Sequence, residues 1–555
     1  MKRLTLLWIV LFALCGFPLF GETYGIQSRE VSELRYLYRR GARVFPFFSY
    51  PVHGSNLLAA AEKLRGGLSG EDAAALDRVI ADLAAYDKRA VLIRGGLSAA
   101  YQHRFRSGRV LIDKGGVPNG ADFRRAFLSF PPVLDLSAGG GGFTGLFLEA
   151  EAILRPAWGG GYSPDNNFFF PSSQFDITFD LINKGVLSWN GKYIDAFFGR
   201  DANHFGDTPG GSLYPSRDLP YMDGLRFMIA LGPFSMDYLL STIQPKEAPW
   251  DVYPNTDGLD AGPGGPGDNG GEHFGFMTSA NPSVILSALH RFQWNFGRVK
   301  AGAGANVVYV RSNNMYTVTD ISPLMSWHNA DMRPNNMNLV LDLSWALYPG
   351  LTLTGMLGFD DINGDMIGIP DSGTPTIPAG ILQLEYGFRG ERLRGEFLFE
   401  AGYTHYLWGN FAYETDDEWG SAPLARGVYR YSPSKEGVIL PLTSPYGPGV
   451  IWGRLVSAFT LPRYNLKIGA DLLLLTKNEA VNLIDTWYTS DDPTHRSRRI
   501  WYLSLDLPCT YTWKRLDFYL SPALLLRNAR AAFECTLGFK YTLEGKRFFA
   551  EKDEA

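Results

Sequence analysis

The sequence predicts an all-β membrane protein: an antiparallel transmembrane barrel of about 18 strands, preceded by a small helical segment. Three observations predict it. Stretches of roughly 9–11 residues, the length of a tilted membrane strand, alternate apolar and polar side chains with period two. Tight connections alternate with long ones, as short turns on one side and long loops on the other do in outer-membrane barrels. No run after the first 21 residues approaches the ~20 apolar residues of a membrane helix. A chain without such a run can span lipid only as a closed barrel, because an open sheet edge leaves backbone groups unsatisfied there.

The alternation is clearest in Leu393–Tyr406. Leu393, Gly395, Phe397, Phe399, Ala401 and Tyr403 share one face; Arg394, Glu396, Leu398, Glu400, Gly402 and Thr404 share the other. In a barrel the first face meets lipid and the second lines the lumen. Together with the strands that repeat the pattern, this places Glu385, Arg389, Arg394, Glu396, Glu400, Glu534 and Lys540 inside. The presence of both signs suggests side chains that pair across the interior. Two soluble β-sandwiches are the alternative, but they do not explain the alternation of short and long connections.

Taken in order, Met1–Gly21 reads as a secretory signal. Lys2 and Arg3 make a positive start, and Leu4–Leu14 is an apolar run too short to span a bilayer. Cys15 is a poor lipidation site, because Leu14 stands where a small residue belongs. Cleavage after Gly21 takes Lys2 and Arg3 from a net charge of −5 and leaves −7, which argues against a nucleic-acid partner. Cys509 and Cys535 then remain, without disulfide-framework or metal spacing.

Residues 22–90 are expected to form a periplasmic helical segment. Ser28 caps a helix to about Arg39, Ser55–Leu64 is a second, and Ser69 caps a third with Ala74, Leu76, Val79, Ile80 and Leu83 in a stripe. Between the first two, VFPFFSYPV reads as a rigid extended connector. The segment is either a packing plug or a partner-binding unit.

Residues 91–543 carry the barrel strands and 544–555 a charged periplasmic tail. Tight turns are expected at the glycine run near Gly139 and at Lys184–Gly185, Gly232–Pro233, Gly297–Arg298, Tyr348–Gly350, Arg389–Arg392, Pro462–Arg463 and Lys514–Arg515. The Lys184–Gly185 turn would divide strands 172–184 and 185–199, and one strand is expected over 499–512. The long loops are Asp201–Asp223, Pro245–Pro282, Ser312–Asn336, Trp408–Gly449 and Asn478–Arg498. Aromatics at 14% of the chain are enough to stock interfacial girdles, with Trp452, Trp501 and Trp513 near strand ends.

No catalytic constellation emerges. There is no His-Glu-x-x-His and no Gly-x-Ser-x-Gly, and the eight histidines are scattered. Neither an enzyme, a cofactor nor a metal is expected. Asp361, Asn363 and Asp365 resemble the start of a calcium loop, but Ser372 stands where its glutamate belongs. Asp257, Asp260, Asp268 and Glu272 have the chemistry to hold a divalent ion, but their glycine-rich setting favours a solvated surface loop.

The most distinctive stretch is Phe197–Phe227. A strand ends at Gly199–Arg200; Phe205–Gly206, Gly210, Ser212–Leu213, Ser216, Asp218 and Pro220 follow in a turn-rich loop. In that order they resemble the Wzi-type capsule-assembly family of outer-membrane proteins. The front of the chain is similar too, with the helix ELRYLYRRG ahead of the aromatic connector. Phe205 replaces the family's tryptophan, and Thr208–Pro209 part of its glycine pattern. The chain does not end on the aromatic that barrel-assembly machinery reads; Tyr541 and Phe549 are nearest.

The resemblance implies a protein of the bacterial outer membrane, embedded in its lipid and inserted by that machinery, that binds surface polysaccharide. Trp250, Tyr253, Trp327, Trp408, Tyr413 and Trp419 are the loop aromatics expected to contact a glycan. A porin-like channel for small solutes is the alternative, because a barrel this wide conducts unless plugged.

Overall fold

A computed structural model describes residues 23–86, 91–104, 127–142, 146–157, 161–163, 168–170, 176–244, 283–312, 318–321, 335–362, 376–409, 428–431, 438–478 and 498–548, apart from positions 27, 207, 209–211, 216–218, 220, 361, 391, 445 and 529. The first 22 residues, with the expected signal, and the tail from 549 lie outside this set.

The chain forms an antiparallel β-barrel. Its staves are β1 (Val91–Arg104), β2 (Phe127–Gly142), β3 (Leu146–Ala157), β4 (Asp176–Asn190), β5 (Ile194–Asp201), β6 (Met222–Leu231), β7 (Phe234–Gln244), β8 (Ser283–Asn295), β9 (Val299–Ser312), β10 (Asn335–Tyr348), β11 (Leu351–Phe359), β12 (Pro378–Arg389), β13 (Arg394–Thr404), β14 (Val450–Leu461), β15 (Leu466–Asn478), β16 (Arg499–Asp506 and, past a break, Cys509–Trp513), β17 (Leu516–Arg527) and β18 (Arg530–Phe548). Neighbours in sequence pair antiparallel, and β18 pairs with β1 to close the ring.

Period two puts alternate side chains on opposite walls. On β10, Leu341, Leu343 and Trp345 are exposed on the outside, whereas Val340, Asp342 and Ser344 are buried inside. The outer face carries a belt of exposed Leu, Ile, Phe, Tyr and Trp, as a lipid-facing wall must. At the short-turn end Tyr193, Phe296, Tyr348, Tyr464 and Trp513 line its edge, all more than half exposed.

One stretch of outer wall departs from this. Tyr238, Leu286, Val307 and Tyr309 point outward from β7–β9 yet are buried. The short helix Val318–Ile321 accounts for part of the cover: Tyr238 donates to the Asp320 carbonyl, and Tyr309 to its carboxylate at 3.0 Å. The β9–β10 connection thus lies in part against the barrel wall.

Several expected boundaries move. The chain does not turn at Gly139; β2 runs to Gly142, with Gly139–Gly142 in register with Leu146–Glu149. Nor does it turn at Lys184–Gly185. β4 continues to Asn190, and the turn lies at Gly191–Tyr193. The close approach across this point requires the glycine on the neighbouring strand: a Cβ on Gly199 (φ +124°) would run into the Gly185 carbonyl. The stave expected over 499–512 is broken at Leu507–Pro508, where proline cannot donate to the ladder. Trp501 and Trp513 are exposed at 53% and 55%, but Trp452 faces the lumen at 2%.

Ahead of the barrel lie α1 (Arg29–Arg40), α2 (Gly54–Glu62) and α3 (Gly70–Tyr86). Ser28 caps α1 by accepting from the Val31 amide at 3.3 Å, as its position predicts. Val31, Leu34 and Leu37 of α1 meet Leu57 of α2 and Leu76, Val79, Ile80 and Leu83 of α3 in a core of their own. Thr23–Tyr24 pairs with Val52–His53 beside them. Among the described residues no helix is long and apolar enough to cross a membrane.

Candidate functional site: a lumen filled by the chain's own segments

The connector between α1 and α2 does not run along the outside. It enters the barrel at the short-turn end, where the Val44 amide donates to the Gly297 carbonyl in the β8–β9 turn at 2.8 Å. Lumen-facing side chains then hold its backbone. Lys300 donates to the carbonyls of Phe45 and Phe47 at 3.1 and 3.0 Å, and Gln293 to that of Pro46 at 2.9 Å. These bonds satisfy connector carbonyls and a buried ammonium together, which makes the insertion tolerable away from bulk water.

From above, the β5–β6 connection folds down to meet it. His204–Phe205 pairs antiparallel with Ser49–Tyr50, and the Gly206 amide donates to the Phe48 carbonyl at 2.9 Å. The motif residues of this loop build its shape. Arg200 grips Asp223 with two bonds of 2.6 and 2.8 Å, across a register pair at the mouth of the loop, and covers the Tyr221 ring at 3.9 Å. Ser212 Oγ donates to the Phe205 carbonyl at 2.7 Å and accepts from the Tyr214 amide at 3.0 Å, pinching the loop closed. Gly206 sits at φ +118°, where a Cβ would crowd Met356 at 2.8 Å. Phe205 is fully buried. Gly199, Arg200, Phe205, Gly206 and Ser212 are therefore brought together as parts of an inward-folded loop. Gly210, Ser216 and Asp218 lie outside the described residues.

Where the two insertions meet, a charged cluster is buried. Arg291 forks onto Asp342, with Nε at 3.0 Å and Nη2 at 2.7 Å, reaches Gln293 at 2.9 Å, and lies 3.4 Å over the Phe48 ring. The Tyr214 hydroxyl joins at 3.1 Å from Asp342. Asp237, 3.8 Å from Arg291, also accepts from Ser49 of the connector. Arg226, fully buried on β6, donates to Ser49 at 3.2 Å and stacks on Phe197 at 4.6 Å. Asp195 on β5 accepts from Asn56 and Asn190, and His53 stacks on Phe197 at 4.7 Å.

The helical cap is seated by the expected lumen charges. Arg389 bonds Glu33 and Asp72 at 3.1 Å each, and Arg394 bonds Glu33 and Glu396. Arg39 of α1 bonds Glu385 at 2.7 Å and approaches Glu396 at 3.5 Å. Tyr36 lies beneath the Arg394 guanidinium at 3.7 Å, and its burial raises the hydroxyl above the usual phenolic range. It passes over Gly387, where a Cβ would meet its ring at 2.9 Å. Glu400 instead accepts from the Trp452 indole at 2.9 Å. Lys540 is exposed and in register with Asp517; the Glu534 side chain is outside the described residues.

Toward the long-loop end, Trp408 was expected as a glycan platform but is 1% exposed. Its indole donates to Thr443 at 3.0 Å, and its ring packs over Gly358. Apolar loop residues bury inward when the lumen beside them is already dry, and Phe205, Leu213, Tyr214 and Met356 make it so here. Asp360 clasps this layer, accepting from Asn338 and from the Gly409 amide at 2.7 Å; its burial pushes the carboxyl up to about 7. Trp250, Tyr253, Trp327, Tyr413 and Trp419 lie outside the described residues, as do the acidic loop positions.

Sequence reasoning read the connector as rigid and extended, without its route, and missed Asp237, Arg291, Lys300 and Asp342. Their signal was available: four charged residues fall at lumen parity on four successive strands, and buried charges need partners.

No protein-family model and no curated protein matches the sequence. Solved structures do. Wzi, described as an outer-membrane protein involved in group 1 capsule assembly in Escherichia coli and a carbohydrate-binding β-barrel, aligns over 94% of this chain and 99% of its own at TM-score 0.59 and 12% identity. The fold is that of Wzi. OprD of Pseudomonas aeruginosa aligns over 84% of this chain and 96% of its own, at TM-score 0.41 and 9% identity. OccAB4 of Acinetobacter baumannii aligns over 83% and 99%, at TM-score 0.40 and 12% identity. The likeness to Wzi extends over most of the chain, and the fold is that of an outer-membrane β-barrel.

Proposed function

We propose that the protein holds a surface polysaccharide at the cell exterior and that its barrel is an anchor rather than an open conduit. The observation that carries this is the filled lumen: the connector and the β5–β6 loop meet inside and bury Arg226, Arg291 and Phe205. Binding is then left to the long-loop end. The helical cap and short turns would face the periplasm, as a cleaved signal and periplasmic chain ends require. The name of Wzi supports the choice of ligand class, by likeness of fold. A pulldown of the host's own surface polysaccharide with purified protein should recover it; no retention of any host glycan would remove this function.

A channel remains the second reading, for one reason. On β16 and β17 the inward residues Ser504, Asp506, Thr512 and Ser521 are only half-buried, so the filling does not pack tightly against that arc. A steady conductance in planar bilayers would favour the channel, and a silent barrel the anchor.

A further inference from the structure

Burial divides the inward side chains of the barrel into two classes. On β8 and β10, under the connector and the folded-in loop, Leu289, Arg291, Val340 and Asp342 are all buried. On β16 and β17 Ser504, Asp506, Thr510, Thr512, Asp517 and Ser521 face the lumen half-buried, and Lys467 on β15 and Lys540 on β18 face it exposed. Burial returns toward the long-loop end. Along β15 it deepens from exposed Lys467 through half-buried Asp471 to Leu473 and Leu475, at 8% and 1%. In register with Leu475, Trp452 on β14 and Tyr502 on β16 are buried too. This arc is therefore a recess in the inner wall that opens at the short-turn end and closes upward on β14–β16 against apolar side chains.

The polar groups of the recess are unevenly spent. Asp506 accepts the Ser521 hydroxyl at 2.6 Å and Asp517 the Thr512 hydroxyl at 2.7 Å, each through one carboxylate oxygen. Among the described residues their second oxygens have no partner, and Lys467 and Lys540 make no hydrogen bond or ion pair. Lys540 stands opposite Asp517 in the ladder without pairing to it. Glu396, within electrostatic reach of Lys467, is held by Arg39 and Arg394. Deeper in, Arg454 is forked onto Asp471. Asp506 faces Asp471 across the ladder, four residues or about 13 Å further from the short turns than Lys467. The lysine side chain covers part of that gap, and an extended dipeptide spans about 7 Å. Spare donors at the entrance, with spare acceptors beside and beyond them, suit a molecule that carries both charges. A singly charged ligand would gain from one set and be repelled by the other, and an uncharged one would leave both sets to water.

We propose that the recess on β15–β18 binds a small zwitterion of the amino acid or short peptide class, entering from the short-turn end. Lys467 and Lys540 take its carboxylate, and Asp506 and Asp517 its ammonium. This goes beyond the anchor reading and does not depend on a polysaccharide at the long-loop end.

The test is saturation-transfer NMR on the full chain in a non-ionic detergent, with alanylalanine, its N-acetyl and C-amide derivatives, and glucose, each at about 10 mM so that a millimolar site fills. Alanylalanine should give a signal several-fold above either blocked form, and glucose none. Lys467→Gln with Lys540→Gln should bring alanylalanine down to the level of its amide. Asp506→Asn with Asp517→Asn should bring it down to the level of the N-acetyl form. A merely structural role would not divide the two variants in this way. The fold of each is checked by heat-dependent gel mobility. Equal signals from all three peptides in the parent would overturn the proposal, as would a preference that both variants leave intact. Glucose matching alanylalanine would also overturn it, making the recess a sugar pocket. If a variant does not fold, the parent's ranking of the four probes still decides. Retention of host polysaccharide should be the same in parent and variants, which separates a failure here from a failure of the anchor.

Discussion

Arg291 shows at residue scale how the barrel keeps a charge in its interior. Its fork meets Asp342 at 2.7 and 3.0 Å, and a ring covers its face, so no polar atom of the pair needs bulk water. Arg291→Ala would leave the Asp342 and Asp237 carboxylates without it. Breaking a buried pair in this way costs about 3–5 kcal/mol, readable as a lower urea midpoint in detergent. Removing both charges together, as Arg291→Met with Asp342→Leu, should recover much of that loss. Asp360 makes the pH-dependent case. Its carboxyl is pushed up to about 7 in the folded chain by burial, against roughly 3.9 when exposed. The folded state therefore binds the proton more tightly, and the stabilisation is complete below about pH 4 and lost as pH rises through 7. Thermal unfolding should show that decline between about pH 4 and pH 7, levelling above it. Asp360→Asn should flatten it, and an unchanged slope would place the titration elsewhere. Neither stood out in the sequence, where Arg291 is one charged residue on an alternating strand and Asp360 one acid just past a strand end.

At the scale of elements, α1 is the clearest case of local pattern meeting tertiary demand. Ser28 and the Val31, Leu34, Leu37 stripe were enough to place it. That Glu33 and Arg39 bond to β12 and β13 could not follow from α1 alone, because the partners lie hundreds of residues away. Tyr36 fits under Arg394 only because Gly387 has no side chain. Gly387→Val should push α1 off its seat, and limited trypsin digestion should then cut at Arg35, Arg39 or Arg40 in the variant and spare them in the parent. The failed turns at Gly139 and Lys184–Gly185 teach the converse. Glycine marks either a reversal or a close approach, and only the neighbouring strand distinguishes them. Gly199 is the second kind, since a Cβ there would run into the carbonyl of Gly185 on β4.

For the whole molecule the decisive property is what occupies the lumen. If the connector at 44–53 holds it shut, the parent should pass no steady current in planar bilayers. Replacing Phe45–Ser49 by a glycine-serine linker of equal length should then produce stepwise conductance, since the linker lacks the Phe45, Phe47 and Phe48 rings and its flexible backbone is no longer pre-set for the bonds from Lys300 and Gln293 and the pairing with Phe205. Current in the parent equal to that in the variant would remove the plug.

Period-two alternation, the absence of a long apolar run and the unequal connections were sufficient for a membrane barrel with a helical segment ahead of it. Those are properties of neighbouring residues and of solvent on either side of one sheet, so the sequence by itself determines them. The ion pairs of Glu385, Arg389, Arg394 and Glu396 with one another and with the helical cap follow from the same alternation. The route of the connector, the inward fold of the β5–β6 loop and the burial of Trp408 and Trp452 were decided only by the tertiary structure. Each depends on which groups closure brings face to face across the lumen, and a strand pattern records the wall a side chain points to but not what waits there to meet it.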